Sequence, residues 1–212
     1  MKNSYGCYLI ISSLFFLLIL TGCGSTQPSR FYTLYPLGDL KAEQQPTSSG
    51  HNIAVAIGPV EIPDYLNRPQ IAIRTSQNEL ALSEYDRWAG SLREDIVRVL
   101  SENISRLMAA DRLSVVEWGW GAGHDYRLAV EIKQFDIMPE GNVLLSAEWA
   151  LIGKNGTRII ARRERVTEPI GGQRYEARVS SMSKALETLS RDIANEMKSG
   201  IQKNEASGES KK

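Results

Sequence analysis

Residues 142–167, NVLLSAEWALIGKNGTRIIARRERVT, decide how this chain folds. Asn155-Gly156 sits midway between two runs of apolar and β-branched residues. It is the strongest short hairpin signal, because a primed two-residue turn needs positive φ, which asparagine and glycine tolerate. A two-residue loop there sets Lys154 opposite Thr157, Trp149 opposite Arg162 and Glu148 opposite Arg163. That register predicts a Glu148–Arg163 ion pair on one face and a Trp149–Arg162 cation–π contact on the other, each worth at most about 1 kcal/mol when exposed. It also accounts for Arg158, Arg162, Arg163 and Arg165 on one strand without a ligand.

Upstream, residues 125–137 (DYRLAVEIKQFDI) alternate Tyr126, Leu128, Val130 and Ile132 against Arg127, Glu131 and Lys133. The phase slips at Gln134, and Phe135 and Ile137 continue the apolar row one residue late, the sequence mark of a β-bulge. Further strands are expected at Phe31–Leu34, Asn52–Val60 and Leu113–Trp118, with Pro59 and Pro63 ending regular pairing of the second. Ile71–Arg74 and Glu79–Ser83 read as a hairpin around Gln77-Asn78. From Trp88 onward Leu92, Ile96, Val99, Leu100, Ile104 and Leu107 recur at helical spacing, predicting an amphipathic helix of roughly twenty residues capped by Asp86 or Ser83. A last helix from Tyr175 to Ser199 places Val179, Met182, Leu186, Leu189, Ile193 and Met197 on one stripe. Strands, helix, strands, helix predict an α/β (α+β) three-layer sandwich: a mixed, largely antiparallel sheet carrying two long amphipathic helices.

The chain has 212 residues, with 25 Lys and Arg balancing 25 Asp and Glu, and is 42% hydrophobic. The neutral balance lacks the clustered, uncompensated cations that a general nucleic-acid binder needs, so nucleic acid is not expected as a partner. The N-terminus departs from the rest. Lys2 precedes the uncharged run Leu9–Leu20, which at roughly 18 Å as a helix is too short for a bilayer core of about 30 Å and reads as a secretory leader. Leu20-Thr21-Gly22-Cys23 follows, in the form of a bacterial lipobox: two small residues that fit a peptidase cleft, then the thiol that receives diacylglyceryl. Cys7 lies in the leader, so the mature chain has no intramolecular disulfide open to it.

Two or three acyl chains on Cys23 give stable attachment, which one chain does not. Gly24 rather than an aspartate after the cysteine points to the periplasmic face of the outer membrane. The expected organisation is a leader at 1–22, the lipidated cysteine and a tether at 23–30, one domain at 31–200, and a disordered tail at 201–212 that has nothing to bury.

Catalytic constellations are scarce. His51 and His124 have no partners at metal-ligand spacing, so no metal is expected. Ser181-Met182-Ser183-Lys184 matches S-x-x-K without the motifs that accompany it in penicillin-binding enzymes, and Met182 belongs to the apolar stripe. Gly119, Gly121 and Gly123 lack dinucleotide-binding spacing. The chain reads as a non-enzyme without a cofactor. Two places stand out as candidate partner or lipid contacts: Trp118 and Trp120, on one side of an extended segment, and Tyr65 with Leu66 between Pro63 and Pro69.

Residues 62–92, IPDYLNRPQIAIRTSQNELALSEYDRWAGSL, resemble the ABC-type transport auxiliary lipoprotein family through Pro63, Tyr65, Leu66, Arg68, Pro69, Ile71 and Trp88. The Phe31–Leu34 entry and the stretches 125–135 and 145–151 fit the same pattern, while Gly38–Gly50 and Trp118–His124 depart from it. The resemblance implies an α/β sandwich without catalytic residues, serving an MCE-type intermembrane lipid transport system. The expected partners are an MCE-domain protein and its inner-membrane permease, with a homo-oligomeric ring compatible with such a tube. Two other roles compete: a lipid-binding carrier with an apolar pocket, and an outer-membrane assembly or peptidoglycan-associated lipoprotein.

Overall fold

The computed structural model describes residues 27–38, 53–111, 113–119 and 123–209. Cys23, Trp120 and the 201–212 boundary beyond Glu209 lie outside them. In chain order the elements are β1 (Arg30–Tyr32), β2 (Ile53–Glu61), β3 (Gln70–Arg74), β4 (Leu80–Trp88), α1 (Leu92–Leu107), a 3₁₀ turn (Ala109–Asp111), β5 (Leu113–Glu117), β6 (Tyr126–Ile137), β7 (Asn142–Gly153), β8 (Arg158–Pro169) and α2 (Tyr175–Glu209). The fold is α+β, as the element order predicts: an eight-stranded mixed sheet and two helices.

β6 is the spine. Along one edge it pairs with β7 over its whole length, and β7 pairs with β8. Its other edge is shared: β2 runs parallel to its first half and carries β5, while β3 touches its last residue at Ile73↔Ile137 and carries β4 and then β1. The ladder shifts between Ile132 and Gln134, where the hydrophobic phase slips. Trp149 faces Arg162 and Glu148 faces Arg163, as expected. The turn differs in detail. The Gly153 N–H donates to the Thr157 carbonyl and only Gly156 of the turn glycines needs φ near +82°, so the loop is Lys154–Gly156, and a shift between Leu151 and Ile152 restores the predicted register. Glu148 pairs with Arg163. The cation–π contact does not form, because Trp149 is buried among the core residues while Arg162 reaches Glu196 of α2 at 2.9 Å.

The alternate residues Val143, Leu145, Ala147, Trp149 and Leu151 of β7 are buried with Leu186, Leu189 and Ile193 of α2 in one core. α1 adds Leu92, Ile96, Val99, Leu100 and Ile104 to it. Asn103 donates to Ser190 Oγ at 3.1 Å and Lys198 meets Asp111 at 2.7 Å, so the helices ascend side by side as one layer. The helix after β4 begins later than its periodicity suggests. Trp88 is the last residue of β4, and Ser91, not Asp86 or Ser83, caps α1 by accepting from the Glu94 N–H. Asp86 is nearly buried and accepts from Arg30, Tyr32 and Ser83. Burial opposes its charge, and those hydrogen bonds outweigh the opposition and hold its carboxyl below the usual range. α2 also runs further than expected. It continues through Glu209, with Ile201 buried and Asn204 donating to the Tyr126 hydroxyl at 3.1 Å, which replaces the expected disorder over those residues.

Residues 33–37 form a strap across the seam between the two helices. Leu34 and Leu37 are buried there, and side chains of both helices replace the missing strand partner. The Leu34 N–H donates to Asp95 (2.8 Å), the Tyr35 N–H to Ser183 Oγ (3.0 Å) and the Leu37 N–H to Asn103 Oδ1 (2.7 Å). Arg98 donates to the Leu34 carbonyl at 2.7 Å, and Arg106 to that of Leu37. The buried and half-buried backbone groups among these are thereby satisfied, as the cost of leaving them dry requires.

Candidate docking surface beside Trp118

Trp118 follows β5, the strand at one end of the sheet, and its placement starts at Gly58 in β2. The parallel ladder between β2 and β6 shifts between Ile57 and Val60, and Gly58 there has φ of +139°, a conformation that side chains strain to adopt. The indole takes the space that a side chain would fill: a Cβ at Gly58 would lie 2.8 Å from Trp118 Cβ. The ring is steadied on its other side by the Arg127 guanidinium, 4.7 Å from its centroid, and by His124 edge-on at 5.6 Å. It is still 44% exposed. Gly58→Ala is therefore expected to cost about 1 to 3 kcal/mol from backbone strain and steric overlap together. Thermal denaturation checks this, and a change below about 0.5 kcal/mol would mean that Trp118 does not rest on Gly58.

Beneath Trp118 a groove of about 1100 Å³ runs between α1 and the β2–β5 edge. Val97, Val115 and Val116 form its apolar floor, and Arg93, Arg98 and Glu102 line the α1 wall. Pro59 also lines a smaller depression, of about 590 Å³, on the open face of β6–β8. Three small residues in register, Ala129, Ala150 and Ala161, form the floor of that depression. Its rim carries the Glu131–Lys133 and Glu148–Arg163 ion pairs. An apolar floor with a charged rim suits a protein surface; an acyl chain would leave those charges facing hydrocarbon.

The other candidate contacts lie elsewhere. Leu66 is 4% exposed and belongs to the core. Tyr65 is half-buried, and its hydroxyl donates to Asp136 at 2.8 Å; burial first, and that bond second, push its pKa well above the ordinary phenol value. Trp118 is thus the exposed member of the described set, some distance along the chain from Tyr65 and on a different part of the sheet. The S-x-x-K residues are occupied structurally: Ser181 donates to the Pro169 carbonyl at 2.9 Å and Ser183 holds the strap. Among the described residues no three His, Cys, Asp or Glu side chains cluster as a metal site would need. No helix among them is long and apolar enough to cross a membrane.

Sequence reasoning missed the strap and the alanine row. Neither has a periodic signature, and the row becomes visible only once the register of β6, β7 and β8 is known.

The chain resembles known proteins across this whole framework. No curated protein matches it in sequence. An uncharacterised protein of known crystal structure aligns with a TM-score of 0.68 at 22% identity, over 81% of this chain and 99% of that one. A Xanthomonas campestris protein of the DUF330 family aligns with a TM-score of 0.67 at 14% identity, over 84% and 99%. At such identities these two likenesses show the fold alone. The family model of the ABC-type transport auxiliary lipoprotein component matches residues 32–194, from β1 well into α2, and the chain belongs to that family.

Proposed function

We propose that this lipoprotein is anchored through acyl chains on Cys23 to the periplasmic face of the outer membrane and serves an MCE-type intermembrane lipid transport system. Its role there is non-catalytic: it docks the far end of the transport tube, with Trp118 and the groove beside it as the contact for the MCE-domain protein. The observation that carries the reading is the family match over residues 32–194 in a chain that also presents Leu20-Thr21-Gly22-Cys23 after an apolar leader. A carrier role, with lipid held inside the domain, is less well supported. The side chains between helices and sheet are buried against one another, and the groove wall on α1 is charged.

The test is affinity purification of the lipidated protein from gently solubilised membranes, with mass spectrometry of what accompanies it. Recovery of an MCE-domain protein and its permease is expected, and outer-membrane assembly factors or murein in their place would overturn the reading. Cys23→Ser is expected to leave the precursor without acyl chains and to abolish outer-membrane anchoring. Unchanged fractionation of that variant would remove the lipobox from the argument. Trp118→Ala is expected to reduce recovery of the partner with little change in melting temperature.

A further inference from the structure

We infer that the folded domain itself touches the lipid surface, through an outward row of aromatic side chains on β1 and the strap. The inference rests on the reading that Cys23 is acylated. From Phe31 to Leu34 the chain alternates exposed and covered positions: Phe31 and Thr33 point out, Tyr32 is half-buried and Leu34 is fully buried. Tyr35 continues the outward row. An exposed strand row ordinarily carries polar residues, yet Phe31 is 64% and Tyr35 72% exposed, the two largest exposures of big hydrophobic side chains among the described residues.

The row cannot turn inward to hide them. Tyr32 and Leu34 are held by the Asp86 and Asp95 carboxylates, and the Tyr35 backbone by Ser183, so three residues of the fold fix the facing. Cations lie near it, and the acids beside it are already paired, Asp86 with Arg30 and Asp95 with Arg98. Arg30 is half exposed even though it pairs with Asp86, Arg174 lies exposed at the start of α2 near Tyr32, and exposed Lys184 follows the Ser183 that holds Tyr35. Aromatic rings flanked by Arg and Lys are the composition that settles at a membrane–water interface, the ring at headgroup level and the cations on anionic lipid.

The chain between anchor and row says which surface this is. Seven residues lie between Cys23 and Phe31, and the eight steps along the chain reach at most roughly 29 Å. Phe31 therefore stays within one domain diameter of the headgroups on any path the tether takes. Contact by the row would hold β1 down on the bilayer and fix the orientation of the groove, whose Trp118 side follows β5 at the other end of the sheet order.

The test uses the full chain, purified in its lipidated form and reconstituted in vesicles of phosphatidylethanolamine with phosphatidylglycerol. Nitroxide labels are placed on Phe31→Cys, Tyr35→Cys and Arg163→Cys, the last on the open sheet face, 75% exposed. Acylated Cys23 is a thioether and does not take the label. Melting curves select folded variants, and either of the first two suffices. The expected result is that labels at 31 and 35 relax with lipid-soluble oxygen and are shielded from an aqueous nickel chelate by about threefold or more relative to 163. Equal aqueous access at all three positions would overturn the inference. Shielding from both reagents would also overturn it, and spin–spin broadening between copies would then identify a second chain as what covers the row. Intact mass separates the two failures: without acyl mass on Cys23 the anchor reading fails, and with it only the contact of the row fails.

Discussion

Trp88→Ala is expected to lower stability by about 3 to 5 kcal/mol, a fall of roughly 6 to 20 °C in Tm for a chain of this size. Trp88 is 5% exposed and ends β4, where three parts of the fold meet. Its N–H donates to the Pro69 carbonyl at 2.7 Å, closing the hairpin from β3. Its Cα stands opposite Tyr32 in the β1 ladder, and the neighbouring Ala89 N–H donates to the Tyr32 carbonyl at 2.8 Å. Three residues later Ser91 begins α1. Truncating the indole empties volume under all of these at once, and a packed interior relaxes only partly into such a space. Trp118→Ala is the control. The same residue type at 44% exposure is expected to cost below about 1 kcal/mol. Denaturant titration of both variants checks the pair, and a Trp88→Ala loss under about 1 kcal/mol would place that ring at the surface rather than in the core.

Trp88 also marks how far the sequence could be read. Its place at the head of an apolar stripe was legible, but its element was not. Trp88, Leu92 and Ile96 have the spacing of a helix, while Asp86 and Trp88 have that of a strand, and both patterns bury the same tryptophan. What broke the tie was Asp86, whose carboxylate is taken by Arg30, Tyr32 and Ser83 and so is not free to cap a helix. Nothing local to Asp86 reveals that two of its partners, Arg30 and Tyr32, lie more than fifty residues away. The slip at Gln134 and the pairing of Glu148 with Arg163 were legible, because a period of two and a tight turn together fix register. The end of α2 was illegible for the opposite reason. Residues 201–209 are mostly polar, and what keeps them helical is tertiary: Ile201 is buried and Asn204 reaches Tyr126 of β6. Of the candidate contacts, the sequence singled out Trp118 by type and place. It could not separate Trp118, which is exposed, from Leu66, which is core, since exposure depends on what folds over a loop.

The P-x-Y-L segment has a structural task that its composition does not disclose, and Arg74→Ala is expected to expose it with a loss of about 3 to 5 kcal/mol. β3 meets β6 at the single register pair Ile73↔Ile137, so the half of the sheet that carries β4 and β1 hangs on β6 by one residue. Arg74 and Asp136 flank that junction and meet at 2.7 Å, with the aspartate side chain 1% exposed. The carboxylate accepts also from the Tyr65 hydroxyl at 2.8 Å and from Gln134 at 2.7 Å. A buried charge with three donors is tolerable; with the cation removed it keeps two neutral donors and no counter-charge, and the desolvation cost falls on the fold. Tyr65→Phe removes one neutral bond and is expected to cost about 1 to 3 kcal/mol. Combining Arg74→Met with Asp136→Leu is expected to recover most of the stability, because apolar residues of similar size owe no desolvation. Urea denaturation of the three variants measures the series. If Arg74→Ala proved as mild as Tyr65→Phe, the guanidinium would not be what balances Asp136, and the junction of the two halves would rest on the Ile73–Ile137 pair and on core packing.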